Sequence, residues 1–202
     1  MELAKAAYSN GAIDIAKKSL AEIEQNGRTL EDKLDAYDLL IDIHLQGSVN
    51  EQKAAISLCC KALTQLGEDV SRNPEARFSI FKYLPTITKT RAKCALTSES
   101  SLLSMPRRES KKSLTIMRFY CQLALASYIE DRILCGYYIS VWVNYCLNKK
   151  EVCRYTPSAL TFYSAALVYG FEHWNCVEAH RIGKIALTLL NESKYKMQLP
   201  RA

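Results

Sequence analysis

The sequence predicts an all-α protein built of antiparallel helix pairs stacked as a solenoid. Three observations carry that expectation. Apolar residues recur three and four positions apart along almost the whole chain, which is the period of one helix face. Only seven glycines and five prolines interrupt 202 residues, too few for a turn-rich β-protein or a long flexible linker. Pairs of small residues seven apart also return along the chain: Ala12 with Ser19, Ala55 with Ala62, and Ala179 with Ala186, each pair followed at once by leucine.

Small residues two turns apart on one helix face let a neighbouring helix approach closely, so that larger side chains pack on either side. The first two copies lie 43 residues apart and the second and third 124 apart, close to three such periods. A fixed period of roughly 20 to 50 residues marks stacked repeats, none of which buries its apolar face alone. Gly183 falls between Ala179 and Ala186 and belongs to the same packing set.

About nine helices are expected. Residues 1–9 and 12–25 form a first pair, broken at Asn10-Gly11. Leu34, Tyr37, Leu40, Ile41 and Leu45 make one apolar stripe, and Ile56, Cys59, Leu63 and Leu66 the next; Gly47, Ser48 and Asn50 between them supply turn and cap chemistry. So short a connection sets the two helices antiparallel. A pattern over 75–97 contains Pro85, where a kink or break is expected, because proline lacks the amide donor and clashes with the preceding turn. The segment 97–110, "TSESSLLSMPRRES", is polar and reads as a loop. Helices then cover 111–127 and 130–148. The helix at 156–170 opens with Thr156 as N-cap and Pro157 at the first helical position, and a last one covers 175–191. The whole is one domain over 1–202, with N-terminal repeats at 1–72, a middle section at 73–128 and C-terminal repeats at 129–202.

The net charge is +6, from 27 basic and 21 acidic residues. The basic residues are scattered and read as solvated helix faces, so no nucleic-acid partner is expected. The most apolar run, residues 133–147, holds Gly136 and Asn144 and is shorter than the ~20 residues of a spanning helix. No membrane partner is expected either. The N-terminus "MELAKAAYSNG" lacks the basic and apolar regions of a signal peptide, so a cytoplasmic chain with reduced thiols is expected. Its eight cysteines then act mostly as small apolar residues.

The alternation of small residues resembles the second helix of the tetratricopeptide repeat, though without its usual 34-residue period and its Trp and Pro markers. That resemblance implies a right-handed solenoid. Three blocks resemble, in order, the helical-repeat region of very large signalling proteins that join a protein-kinase-like region, a STAND-type P-loop ATPase and a histidine kinase or nucleotide cyclase. They are "AAISLCCKALTQLGEDVSRNP" with its Leu66-Gly67 pair and Asn73-Pro74, "LLSMPRRESKKSLTIMRFYCQLALASY" with Met117, and "RYTPSALTFYSAALVYGFEHWNCVEAHRIGKIALTLL" with Gly183, Lys184, Ala186 and Leu187. The chain holds no Walker A motif and no kinase signature. The resemblance therefore implies a non-catalytic interaction or regulatory module, a fragment or free-standing relative, serving protein partners or flanking domains and holding no cofactor.

An alternative is a small helical enzyme or metal protein using a Cys/His site. His173, Cys176 and His180 in "HWNCVEAH" include zinc-ligand types, but His44 is distant in sequence and no fourth ligand stands nearby. Cys59-Cys60 diverge on a helix and lack the Cys-x-x-Cys spacing of a redox pair. No glycine-flanked elbow supports a Cys-His-Asp nucleophile. "RRES" places Ser110 in a basophilic-kinase tetrad, and "NES" at Asn191 is a glycosylation triplet. Aromatics crowd the C-terminal half. They exceed what a helix pair needs for its core, and repeat arrays recognise partners through aromatic concave faces. Tyr137, Tyr138, Trp142, Tyr145, Phe162, Tyr163 and Trp174 are the expected interaction surface. A further expectation is an apolar edge left open at the N-terminal end, around Leu3, Ala6 and Ala7.

Overall fold

The computed structural model describes residues 1–70, 80–107, 109–169 and 175–192, with no side-chain detail for residues 80–82, 129, 130 and 192. The described residues are all-α, as the sequence predicts. Ten helices follow in order: α1 (Glu2–Ser9), α2 (Ile13–Asn26), α3 (Leu30–Leu45), α4 (Val49–Gln65), α5 (Ile80–Leu96), α6 (Glu99–Leu103), α7 (Lys111–Glu130), α8 (Arg132–Lys149), α9 (Thr156–Tyr169) and α10 (Cys176–Glu192). One isolated parallel bridge, Arg107 to Val152, is the only extended pairing among them.

Polar residues with local hydrogen-bonding capacity set many of the boundaries. Thr29 caps α3, its hydroxyl accepting from the Asp32 amide at 3.1 Å while Asp32 accepts from the Thr29 amide at 3.3 Å. This reciprocal box satisfies two donors that a helix start leaves open. Glu51 reaches back to the Ser48 amide at 2.9 Å in the same way at α4. Asp131 ends α7 and caps α8 in one residue, its Oδ1 accepting from Ile133 and Leu134. The α8 helix closes on Lys150, at φ 51°, a left-handed position that a residue with a Cβ adopts at some cost.

Three local expectations need correction. Pro85 lies inside α5, which continues to Leu96, so of the kink or break expected there the break does not occur; one lost backbone bond does not end a helix of this length. The predicted loop at 97–110 contains α6, capped by the Ser98 hydroxyl on the Ser101 amide at 3.2 Å and burying Leu102. Its single buried residue left no periodicity to read. Thr156 is the first residue of α9 and Pro157 the second. The Thr156 hydroxyl turns back to accept from the Cys153 amide at 3.0 Å, tightening the preceding turn.

Neighbouring helices follow a simple order. α1 packs on α2, α2 on α3 and α3 on α4. α4 then lies chiefly against α7, α7 against α8, α8 against α9, and α9 against α10. α7 also touches α3 on one side and α9 on the other. α5 and α6 stand outside this series: α5 lies on α8 and α6 on α10. The α5–α8 contact is partly polar. Thr90 donates to the Ser140 carbonyl at 3.2 Å, and Lys93 donates to Asn144 and Asn148 at 2.8 and 2.6 Å. Asn144, the polar break in the most apolar run of the sequence, thereby finds its partner. From α10, the Arg181 guanidinium donates to the carbonyls of Cys94 and Thr97 at the end of α5, at 2.7 and 3.1 Å. A cation there satisfies carbonyls that the helix end leaves open.

The apolar interior divides in two. A large cluster joins α3 to α10 through residues such as Ile41, Ile56, Phe119, Trp142 and Ile182. A small, alanine-rich cluster holds α1 and α2 against the far face of α3, through Ala4, Ala16, Leu20, Ala36 and Ile43. α3 therefore serves both, with Leu34, Tyr37 and Ile41 on one side and Ala36 and Ile43 on the other.

Two of the three small-residue pairs lie inside the fold. Ala55, Ala62, Ala179 and Ala186 are all buried. At the α9–α10 crossing a Cβ on Gly183 would stand 3.2 Å from the Ser164 hydroxyl, and that hydroxyl donates to the Ala179 carbonyl at 2.7 Å. The first copy fails. Ala12 precedes α2 as its N-cap residue, and both Ala12 and Ser19 are only half-buried. The fully buried small residue of α2 is Ala16. The 43-residue spacing therefore does not relate equivalent packing positions.

Candidate interaction site

Most of the aromatic residues expected at a binding surface are core. Trp142 and Tyr138 are fully buried, and Tyr137, Tyr145 and Tyr163 nearly so. The reason lies in α8. Its sides meet α5, α7 and α9 at once, and a helix apolar all round is one that is buried all round. Trp142 donates its indole N–H to the Met117 sulfur at 3.2 Å and lies 6.0 Å from the Phe162 ring. The Tyr138 hydroxyl is 3.7 Å from the Cys60 sulfur, and Tyr145 donates to Ser113 at 3.5 Å. Burial raises the hydroxyl pKa of Tyr138, Tyr145 and Tyr163 above the ordinary tyrosine range. Trp174 lies outside the described residues, as do Phe171 and His173.

Phe162 is the exception. It is half-buried on α9 and lines a cleft of about 450 Å³ between the end of α7, α8 and α9. Two rings that the expected set omitted complete its rim: Tyr128 at 68% exposure and Tyr169 at 75%. Ile139, Ala166 and Val168 contribute apolar wall, and Arg132, exposed, brings a cation to it. The sequence signal for these rings was weak. Tyr128 ends a helix whose other aromatics, Phe119 and Tyr120, are buried, and Tyr169 continues the spacing of Phe162.

A second cleft, of about 350 Å³, lies between α3 and α7 and is strongly charged. Leu34, Leu66 and Phe119 form its floor. Lys111 pairs with Glu31 at 2.9 Å, and Arg118 reaches Asp38 at 2.6 Å and Asp42 at 3.8 Å. Gln122 donates its amide to both Asp38 and Asp42, at 2.9 and 2.8 Å. Burial pushes the Asp38 carboxyl up to about 6, against the pull of Arg118, with Asp42 adding repulsion and the Gln122 hydrogen bond opposing it.

The thiols are also placed. Cys59, Cys60, Cys94, Cys135, Cys146 and Cys153 are buried, Cys121 is half-buried and Cys176 exposed, all of them free. Burial raises Cys59, Cys135, Cys146 and Cys153, and pushes Cys94 and Cys121 to about 11. The reactive form of a cysteine is its thiolate, so these sites disfavour nucleophilic work. Cys176 and His180 stand one turn apart and exposed on α10. Among the described residues no three His, Cys, Asp or Glu side chains are grouped to hold a metal, and no helix is long and apolar enough to cross a membrane.

No family model, curated protein or solved structure matches the chain.

Proposed function

We propose that this chain is a non-catalytic helical-repeat module that binds a protein partner or a flanking domain. The observation that carries this reading is the order of neighbours. With α5 and α6 set aside, the other helices form four successive pairs, α1–α2, α3–α4, α7–α8 and α9–α10. The second helix of each pair packs on the first helix of the next, and the first helices α3, α7 and α9 also meet. That is the neighbour pattern of a solenoid of antiparallel pairs. On this reading α5 and α6 are an insertion lying over the second helices of the last two pairs. A right-handed, tetratricopeptide-like winding, and a place in the helical region of a kinase- and ATPase-bearing signalling protein, remain what the resemblance implies and form part of the same proposal.

The binding surface proposed is the α8–α9 cleft. Exposed aromatics beside an arginine and an apolar wall are the residue types that dominate protein interfaces. The partner would insert an apolar side chain between Tyr128 and Tyr169. The experiment is co-purification with the chain and with a Tyr128→Ser/Tyr169→Ser variant whose circular dichroism and Tm match the original. Species retained by the original and lost from the variant support the reading. Identical retention by both removes the cleft from it. Turnover of a nucleotide by the chain alone would favour the alternative of an enzyme.

A further inference from the structure

We propose that Ser110 is the phosphoryl acceptor for a serine/threonine kinase that selects arginine three residues before its target. Ser110 is the only serine or threonine of the chain with arginine at that position, Arg107. Arg107, Glu109 and Ser110 are all exposed. They lie in the connection between α6 and α7, where Ser110 has an extended backbone, φ −68° and ψ 141°. A kinase cleft receives its substrate as an extended segment, and here Arg107, Glu109 and Ser110 are already outside a helix, with Arg107 in an isolated bridge to Val152. The serines of α6 and the threonines within α7, α9 and α10 offer neither the arginine nor that backbone.

The step is a simple transfer. The Ser110 oxygen attacks the γ-phosphorus of ATP, the new O–P bond forms as the bond to the β-phosphate oxygen breaks, and ADP leaves. The hydroxyl proton passes to the catalytic carboxylate of the kinase.

The surroundings define what the phosphate would do. The Ser110 hydroxyl now accepts from the Ser113 amide at 3.1 Å, capping α7. A phosphate there keeps an acceptor for the first-turn amides and places a dianion at the positive end of a 20-residue helix. Lys111 and Lys112 follow it directly, and Arg154 reaches Glu109 at 3.1 Å. Lys111 is held by Glu31 of α3 at 2.9 Å, both side chains being largely exposed. The phosphate competes for Lys111, frees Glu31, and changes the charge of the α3–α7 cleft that these residues line.

The test uses the full folded chain, ATP and the catalytic domain of an arginine-directed kinase. One phosphate per chain, mapped to Ser110, is expected. Ser110→Asn keeps a capping side chain and should abolish incorporation, and Arg107→Ala should slow it tenfold or more. At low salt the phosphorylated chain should melt about 2–4 °C higher, the shift that ~1 kcal/mol produces in a domain of this size. Labelling of the heat-unfolded but not the folded chain overturns the proposal, as does undiminished labelling of Ser110→Asn. Phosphate at Ser110 with an unchanged or lower Tm overturns its capping role.

Discussion

Ala62 is fully buried on α4, a helix packed by α3 on one side and α7 on the other. The site has room for one methyl group. Replacing Ala62 with Leu forces extra carbons into a close-packed crossing, and should cost ~1–3 kcal/mol. A fall in Tm of several degrees is expected from calorimetry; an unchanged Tm would mean the crossing is loose. Asp38 makes the opposite case, because here the charge and not the volume is misplaced. Burial outweighs the Arg118 cation and lifts its carboxyl from 3.8 to about 6. The unfolded chain then releases that proton at lower pH than the folded one. By linkage, stability falls as pH rises from about 4 to 6, and the loss is complete above that window. Asp38→Asn removes the dependence, so its Tm should gain on the original as pH goes from 4 to 7. A relative gain on the order of 1–2 kcal/mol between pH 4 and 7 is expected after allowing for partial exposure. A constant difference across that range would mean that Arg118 compensates the burial. Neither residue was equally legible beforehand. The position of Ala62 followed from spacing alone, whereas Asp38 reads in sequence as an ordinary solvated carboxylate. Only the approach of α7 gives it a buried neighbour in Gln122.

Helix identity was legible wherever an element had one buried face. α3 and α4 show it plainly, each with a cap residue before an apolar stripe. It was less legible at the extremes. α8 meets neighbours on several sides, so its rings carried no sign of which face was free, and four of them, Tyr137, Tyr138, Trp142 and Tyr145, were assigned to a surface although they are buried. α6 buries a single leucine, so it left no pattern. Element-scale stability should be uneven for a related reason. The α1–α2 pair rests on a cluster of alanines with Leu20 and Ile43, which removes little apolar area from water compared with the aromatic interior of α7 and α8. Ion pairs from Lys17 to Glu51 and from Glu24 to Lys61, each 2.5 Å, join α2 to α4, but partly exposed pairs add little. Of the residues expected at an open apolar edge here, Leu3 is 67% exposed and Ala6 exposed, but Ala7 is buried within the small cluster. Amides of α1 and α2 should therefore exchange by a local opening, well below the free energy that protects α7 and α8. Hydrogen exchange resolved by peptide would show this as two groups of protection. A single uniform group would mean that the two clusters open together.

At the scale of the molecule, the cysteines provide a way to watch the larger cluster open by itself. All eight lie from residue 59 onward, so none reports on α1 or α2. Cys176 is exposed on α10, while six others are buried across α4, α5, α8 and the turn before α9. Burial shields these six and raises the pKa of Cys59, Cys94, Cys135, Cys146 and Cys153, so raising the pH from 7 to 9 should do little to expose them to reagent. An aromatic disulfide added to the native chain should modify Cys176 quickly, Cys121 more slowly, and the remaining six only through opening of the main cluster. Denaturant that melts α1 and α2 should leave those six unmodified, because their surroundings contain no residue of the small cluster. They should then react together in one cooperative step. A second rapidly modified thiol would place a gap in the interior, and Cys94 is the informative position for it. It is buried near the end of α5, where Arg181 donates to its carbonyl and ties that helix to α10. Early labelling there would mean that α5 and α6 detach before the paired helices separate, as expected of an insertion laid over a stacked array. Labelling in step with Cys59 and Cys146 would mean that α5 is as integral as the pairs beneath it, and the division of the chain into four pairs plus an insertion would fail.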